Sequence, residues 1–190
     1  MRRVTALISV ALVGLVMTAS AAYATPITYN INRTIGAGSV VGTVTTDGTI
    51  GVLGSGNVIG WTLLLNDGTG TFTLQGPTSG NNSAIQTNGS SFTASLTGLF
   101  FDFSAQGYAL FQNPFIGSGV DWWCMEGPNS NCSGFGTGET VTVGTTRGVF
   151  LAGNVQVGST GAAAVPEPAT LVLVGIGLAA VARRSLLKKS

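Results

Sequence analysis

The side chains that could carry chemistry in this 190-residue chain are few, and they exclude most catalytic designs. Between Thr25 and Val165 there is no histidine and no lysine. A Ser-His-Asp triad, a Cys-His dyad, a Ser-Lys pair and a histidine-based metal site are therefore impossible in that stretch. Its six carboxylates could supply the acid pair of a glycosidase, but no two of them form a recognisable pair. The sequence predicts neither an enzyme nor a cofactor.

The six carboxylates are interpreted as structural residues. Asp47 and Asp67 stand in turn sequences. The other four are expected to be solvated residues of strands or loops, and they are Asp102, Asp121, Glu126 and Glu139. Only Arg33 and Arg147 oppose these six acids, which leaves the stretch with a net charge of −4. A mildly acidic domain argues against nucleic acid as a partner.

Two cysteines, Cys124 and Cys132, lie in the sequence "DWWCMEGPNSNCSGF". The residues "EGPNSN" between them are typical of turns, so a disulfide could close a short loop. An oxidising environment outside the cytoplasm would favour this bridge over two reduced thiols, which are the alternative. No metal site is expected, because two cysteines without histidine cannot complete the four-ligand shell of zinc.

The segment "VDWWCMEG" is the best candidate for a binding feature. Successive side chains of a strand point to opposite faces, so Trp122 and Trp123 cannot both face the core. An exposed indole beside Asp121 could stack on a sugar while the carboxylate accepts hydroxyl hydrogen bonds. The alternative is that one ring packs near the bridge and a loop covers the other.

The elements that must position these residues are short strands. Of the 29 glycines, 26 lie between Thr25 and Val165, among many Thr, Ser and Asn residues. Runs of β-branched or aromatic residues recur between turn signals, for example "SVVGTVTT", "VIGWTLLL", "TFTLQG" and "TVTVGTT". This spacing predicts an all-β fold for residues 25–161, an antiparallel β-sandwich of the jelly-roll type. A disordered Gly/Ser/Thr linker is the alternative, which the nine phenylalanines and three tryptophans argue against.

Two local patterns make sharper predictions. The turn residues Asn66-Asp67-Gly68 predict that the strands 60–65 and 70–74 pair as an antiparallel hairpin. In "SFTASL", the alternation of Phe92, Ala94 and Leu96 predicts three apolar side chains on the core face of one strand.

The two ends of the chain are unlike its middle. Arg2 and Arg3 precede an apolar run, and Ala22 and Ala24 occupy the small-residue positions that signal peptidase requires. Residues 1–24 are therefore predicted to form a secretory signal helix that signal peptidase removes, so that the mature protein begins at Thr25.

The C-terminal segment, residues 162–190, is predicted to carry a transmembrane helix at about 169–187 and a basic tail. Its apolar run of residues 169–182 would extend about 21 Å as a helix, against a hydrocarbon core of roughly 30 Å. The run is short for a permanent anchor. Arg183 and Arg184 follow it and should remain cytoplasmic. A plain tail anchor does not explain the rigid Pro166-Glu167-Pro168 triplet in front of the run.

The sequence "VPEPATLVLVGIGLAAVARR" resembles a PEP-CTERM sorting signal. The resemblance covers roughly the last 26 residues and rests on three parts in a fixed order: Pro166-Glu167-Pro168, a short apolar run, and Arg183-Arg184. It implies processing by an exosortase, an integral-membrane cysteine protease or transpeptidase, in a Gram-negative bacterium that makes exopolysaccharide. It also implies a transient stay in the inner membrane, followed by release to the cell surface or the extracellular space.

Two hypotheses for the exported domain follow. The first is a non-catalytic structural or interaction protein of the cell surface or extracellular matrix, associated with exopolysaccharide and biofilm. The second is a carbohydrate-binding module that recognises the exopolysaccharide through Asp121, Trp122 and Trp123.

Overall fold

The computed structural model describes residues 24–77, 83–113 and 120–161, which fold almost entirely as β-strands. These residues form thirteen strands and a single 3₁₀ turn at Ser55–Asn57. All strand pairs recorded among them are antiparallel, so the prediction of an antiparallel all-β fold is confirmed. Within the same three ranges, no helix is long and apolar enough to cross a membrane. The predicted signal helix, apart from its last residue, and the predicted transmembrane helix lie outside the described residues.

The first sheet has eight strands in the order β3-β7-β8-β13-β1-β2-β4-β5. Their bounds, in chain order, are β1 (Ile27–Ile35), β2 (Gly38–Thr46), β3 (Gly51–Val52), β4 (Val58–Asn66), β5 (Thr71–Gly76), β7 (Phe92–Ala94), β8 (Gly98–Asp102) and β13 (Asn154–Thr160). Three of the seven neighbouring pairs in this sheet are consecutive in sequence, namely β1–β2, β4–β5 and β7–β8, as expected for strands joined by short turns. The other four pairs join strands that are separated in sequence.

The second sheet has five strands in the order β12-β11-β10-β9-β6. Their bounds are β6 (Ala84–Gly89), β9 (Gly107–Asn113), β10 (Asp121–Glu126), β11 (Gly138–Val143) and β12 (Thr146–Phe150). The central strand β10 carries both tryptophans and the first cysteine of the candidate site.

The inner faces of the two sheets contribute to one hydrophobic core. Trp61 of β4 meets Phe111 of β9 edge to face, with 5.7 Å between ring centroids. Phe111 in turn stacks on Trp123 of β10 at 5.3 Å. Aromatic contacts of this kind stabilise by about 0.5–1.5 kcal/mol each beyond the area they bury. The ring series therefore ties the first sheet to the centre of the second.

The predicted hairpin is confirmed. Strands β4 and β5 pair from Trp61 opposite Gly76 to Asn66 opposite Thr71. The turn between them needs a residue with positive φ, and Gly68 supplies it with φ of +84°. Because the turn and both strands are adjacent in sequence, local residues are sufficient to specify this element.

The prediction for "SFTASL" is wrong at its end. Phe92 and Ala94 are buried as predicted, but β7 stops at Ala94 and Leu96 is 72% exposed. The reason is a turn in which the Ser95 hydroxyl oxygen accepts hydrogen bonds from the amides of Thr97 and Gly98 at 3.1 and 3.0 Å. A serine that binds neighbouring backbone amides competes with the strand ladder and ends it.

Candidate functional site

The tryptophan pair lies at the centre of the second sheet, with one ring on each face. Trp123 points into the core, where it is 1% exposed and its Nε1 donates to Glu139 Oε1 at 2.9 Å. Trp122 lies on the outer face, opposite Gln112 of β9 and Thr142 of β11, and it is half-buried. Trp123 is thus unavailable for stacking on a sugar, and only Trp122 remains as a candidate contact.

Asp121 does not join Trp122 on one surface. By strand alternation its side chain lies on the same face as Trp123, at the end of β10 opposite Asn113. Burial raises the pKa of the Asp121 carboxyl above its ordinary value, and a hydrogen bond with the Asn113 side chain opposes this effect. The structure therefore does not bring the ring of Trp122 and the carboxylate of Asp121 together as one site.

The two cysteines are joined by a disulfide. Cys124 of β10 and Cys132 of the following loop have Cα atoms 6.3 Å apart, within the range that a bridge requires. Cys124 is fully buried on the outer face of the sheet, which means that the loop of residues 127–137 covers this part of β10. The bridge predicted from the turn sequence fits the structure.

A buried carboxylate organises the same loop. Glu126 is fully buried, and its two oxygens accept hydrogen bonds from the amides of Cys132 at 2.8 Å and Gly136 at 3.1 Å, and from the hydroxyl of Ser133. The Ser133 amide lies 3.4 Å from the same carboxylate. Backbone amides that converge on an anion form a nest that offsets the cost of its burial. The sequence interpretation of Glu126 as a solvated residue is therefore wrong.

Cys124, Glu126 and Cys132 offer ligand atoms that all lie within 4.8 Å of one another. Two thiolates and a carboxylate could hold a metal ion in principle. In this structure both sulfur atoms are committed to the disulfide, and the carboxylate is committed to the loop donors. The arrangement favours a structural role over metal binding.

Glu139 is likewise buried and not solvated, which corrects the second interpretation of this kind. Arg33 of β1 donates to it through Nε at 3.0 and 3.2 Å and through Nη2 at 2.7 Å. Glu139 is fully buried and the Arg33 side chain is 19% exposed. Because β1 and β11 belong to different sheets, the ion pair links the two sheets through the core side.

The second arginine makes another link between the sheets. Arg147 of β12 donates through Nε to the backbone oxygen of Asp67 at 2.8 Å. The Asp67 carboxylate lies in the β4–β5 turn, as predicted, and accepts the amide of Thr145 at 2.7 Å across to the β11–β12 turn. Both cations of the stretch between Thr25 and Val165 are thus engaged inside the fold.

Asp67 also gives the fold an acid-sensitive contact. The Thr69 hydroxyl donates to its Oδ1 at 2.7 Å, and the amides of Thr69, Gly70 and Thr145 add three further bonds. These bonds hold the pKa of the Asp67 carboxyl well below its ordinary value, although burial opposes them. A carboxyl with a lowered pKa stabilises the fold above its unfolded-state value of about 4, and this contribution is lost as the pH falls below it.

We therefore expect Asp67→Asn to lower the thermal midpoint at neutral pH, because an amide nitrogen would face the donating amide of Thr145. The difference from the parent protein should shrink as the pH falls below about 4. Thermal unfolding followed by circular dichroism across this range measures the effect. Asp102→Asn is the matched control, since the Asp102 Oδ1 accepts one amide, that of Ser104 at 2.9 Å, which an asparagine oxygen can also accept. A difference between Asp67→Asn and the parent that is independent of pH would contradict the assignment.

The structure also forms a polar pocket that the sequence did not indicate. It encloses about 320 Å³ where the end of β6, the start of β9 and the loop after β10 meet. Six of the lining residues contribute side chains: Asn88, Gln106, Tyr108, Asn129, Ser130 and Asn131. They are spread over 44 positions of sequence and belong to three segments that only the fold brings together, so no local motif could have found them.

The residues predicted for sorting and signal cleavage stand apart from this domain. Ala24 and Thr25 are exposed directly before β1, while Ala22 lies outside the described residues. Pro166, Glu167, Pro168, Arg183 and Arg184 also lie outside them. The cleavage sites and the roles of these residues stay predictions.

Comparison with known proteins bears on the C-terminal segment. Residues 164–189 match the family model of the PEP-CTERM protein-sorting motif. The comparison with curated proteins found no match, and the comparison with solved structures found none either. The match contains the Pro-Glu-Pro triplet, the apolar run and the two arginines on which the sequence prediction rested, and it implies export with transient membrane anchoring. The chain therefore carries a PEP-CTERM protein-sorting motif at residues 164–189, which supports a PEP-CTERM protein and a substrate of an exosortase.

Proposed function

We propose that the chain is an exported protein of the cell surface or extracellular matrix, with a structural or interaction role and no catalytic activity. The observation that carries this proposal is the sorting motif at residues 164–189. After export, signal peptidase would remove residues 1–24 and an exosortase would cut near the Pro-Glu-Pro triplet. We infer release next to exopolysaccharide and a role in biofilm from the class of sorting system that the motif indicates.

The chemistry of the domain supports a non-catalytic role. No histidine or lysine occurs between Thr25 and Val165. Of the carboxylates, Glu126 and Asp67 are held by donors of turns and loops, and Glu139 is paired with Arg33. These groups are saturated by internal bonds, which suits a scaffold more than general acid–base catalysis.

The fold suits an extracellular scaffold as well. We infer that the two sheets are the layers of a β-sandwich of the jelly-roll type, because ring contacts and the Arg33–Glu139 pair join their inner faces. The disulfide between Cys124 and Cys132 adds a constraint that persists in an oxidising environment. A carbohydrate-binding role is the second candidate, and the polar pocket favours it.

The test of the sorting proposal is Glu167→Ala, which removes the single charge of the segment between Gly161 and Ala182 but leaves the apolar run intact. We expect the variant to insert normally and to remain uncut. With an epitope placed after Thr25, immunoblots should show the full-length precursor in the inner-membrane fraction of the variant. The parent should give a shorter species outside the cell, ending near residues 165–170.

Ser159→Ala is the matched control, because Ser159 is exposed near the end of β13 and precedes the triplet by only seven positions. It should be processed like the parent. If parent and Glu167→Ala migrate identically and both stay in the membrane, the C-terminal segment is a plain anchor and the proposal fails.

A further inference from the structure

The polar pocket between β6, β9 and the loop after β10 has the lining of a carbohydrate site. Asn88, Gln106, Asn129 and Asn131 are exposed at its surface, and the ring of Tyr108 is half-buried beside them. Each amide offers two donors and an acceptor, which matches hydroxyl groups that both donate and accept. Sites for drug-like ligands are mostly apolar, so a lining dominated by amides favours a polyhydroxylated ligand. The volume of about 320 Å³ lies at the small end of ligand sites and suits one sugar residue of a chain.

The backbone around the pocket is held in place before any ligand arrives. The amide of Gly107 donates to the Ser130 hydroxyl oxygen at 2.8 Å, and the amide of Gly127 donates to the Gly107 carbonyl at 2.9 Å. Asn129, at the tip of the loop, has a φ of +56°, a conformation that asparagine tolerates better than most residues. A site fixed in this way loses little conformational entropy on binding.

Two glycines, Gly89 of β6 and Gly107 of β9, leave the space of the pocket open. A Cβ atom at Gly107 would lie 2.4 Å from the carbonyl oxygen of Asn88, and one at Gly89 would lie 2.4 Å from that of Gln106. Both residues also have positive φ, of +147° and +76°. The two strands can therefore approach closely here only with glycine at both positions, and no side chain from either fills the cavity.

The distribution of charged residues around the pocket favours an uncharged ligand. None of the residues that line the pocket is charged. Glu126 is the cross-strand neighbour of Tyr108, but its carboxylate is saturated by the loop donors. Arg33 and Arg147, the only cations between Thr25 and Val165, are engaged with Glu139 and with the Asp67 backbone. An acidic polymer would find no cationic partner on this domain and would meet a net charge of −4.

We propose that this pocket binds a sugar residue of a neutral polysaccharide, with Tyr108 as the stacking ring and the surrounding amides as hydrogen-bonding partners. The site differs from the one that the sequence indicated at Asp121, Trp122 and Trp123. The proposal extends the cell-surface role proposed above. It depends on that role only for the location at which the protein would encounter the polysaccharide.

The test is calorimetric titration of the full-length chain, purified in detergent, with cellohexaose, maltohexaose and mannohexaose as neutral probes and polygalacturonate as the acidic probe. We expect saturable binding of at least one neutral probe and none of polygalacturonate. Tyr108→Ala should weaken that binding about tenfold through loss of the ring, and Asn131→Ala about threefold. Tyr108→Phe keeps the ring and should retain most of the affinity.

Trp122→Ala is the control for the alternative surface and should bind like the parent. Binding of none of the neutral probes, tighter binding of polygalacturonate, or a loss of binding in Trp122→Ala together with parental binding in Tyr108→Ala would overturn the proposal. If Tyr108→Ala does not fold, Asn88→Ala and Asn131→Ala carry the test, because both residues are exposed. The titration needs no exosortase, so its failure leaves the sorting proposal intact, and a failure of Glu167→Ala leaves the titration intact.

Discussion

Replacing Glu139 by leucine should lower the free energy of unfolding by about 3 kcal/mol. Its carboxylate is fully buried and accepts from Arg33 through both Nε and Nη2, and from Trp123 Nε1. Leucine offers no acceptor, so the guanidinium would lose its counter-charge between the two sheets and the Trp123 indole N–H would lose the carboxylate oxygen that accepts it. Removing one member of a buried pair is costly mainly because the other charge is left uncompensated.

Urea unfolding followed by tryptophan fluorescence measures this change, with the slope of the transition checked for constancy. The matched control is the double variant Arg33→Met/Glu139→Leu, which removes both charges together. It should recover part of the lost stability, since replacing an entire buried pair by apolar residues is often nearly neutral. If the double variant is less stable than Glu139→Leu by the full effect of Arg33→Met alone, then the two residues are not coupled and the inter-sheet link contributes nothing.

The environment of Glu139 could not be predicted from the sequence. Arg33 and Glu139 are 106 positions apart, and their contact depends on which strand of one sheet lies over which strand of the other. No pattern of residue spacing in the sequence predicts this contact. A carboxylate in "GETVTV" therefore looked solvated, although its neighbours Thr140 and Val141 are also fully buried. The prediction failed because burial of a strand residue is set by what covers the sheet.

Elements that local residues specify were predicted correctly. The β4–β5 hairpin follows from the turn residues Asn66-Asp67-Gly68, since its partners are contiguous and Gly68 supplies the required φ. Strand β6, with the sequence "AIQTNG", was missed because it has little apolar alternation and lies at the edge of its sheet. Its partner β9 supplies most of the buried residues of the pair, including the fully buried Phe111, whereas β6 contributes only Ala84.

The candidate site also has a part that local sequence predicts and a part that depends on the tertiary fold. Strand alternation alone predicts that Trp122 and Trp123 face opposite sides, and the structure agrees. Which ring enters the core is decided by Phe111 and Glu139, residues of other strands. No local pattern predicts the polar pocket, because its walls come from the end of β6, the start of β9 and the loop after β10, and only the order of strands in the sheet brings these segments together.

Replacing Glu126 by alanine should be the second most destabilising change, and it should lower the free energy of unfolding by about 2–3 kcal/mol. Its two carboxylate oxygens satisfy the amides of Cys132 and Gly136 and the hydroxyl of Ser133, in a part of the loop that lies over β10. Alanine removes every one of these acceptors. The amides would then have to reach water, which requires the loop to lift from the sheet, while the disulfide would still hold it at Cys132.

Because the bridge remains, this variant separates two contributions to the order of the loop. Hydrogen exchange under non-reducing conditions should show lost protection at the amides of Cys132 and Gly136, with little change in the first sheet. Ser133→Ala is the graded control, since it removes the bond that the hydroxyl donates to Glu126 and the bond that its oxygen accepts from the Phe135 amide, and it should lower the free energy of unfolding by only about 1–2 kcal/mol. If protection at both amides survives in Glu126→Ala, then the disulfide alone orders the loop and the carboxylate is dispensable. If it is lost, the affinity for neutral glycans should fall as well, because Asn129, Ser130 and Asn131 of this loop form one wall of the pocket.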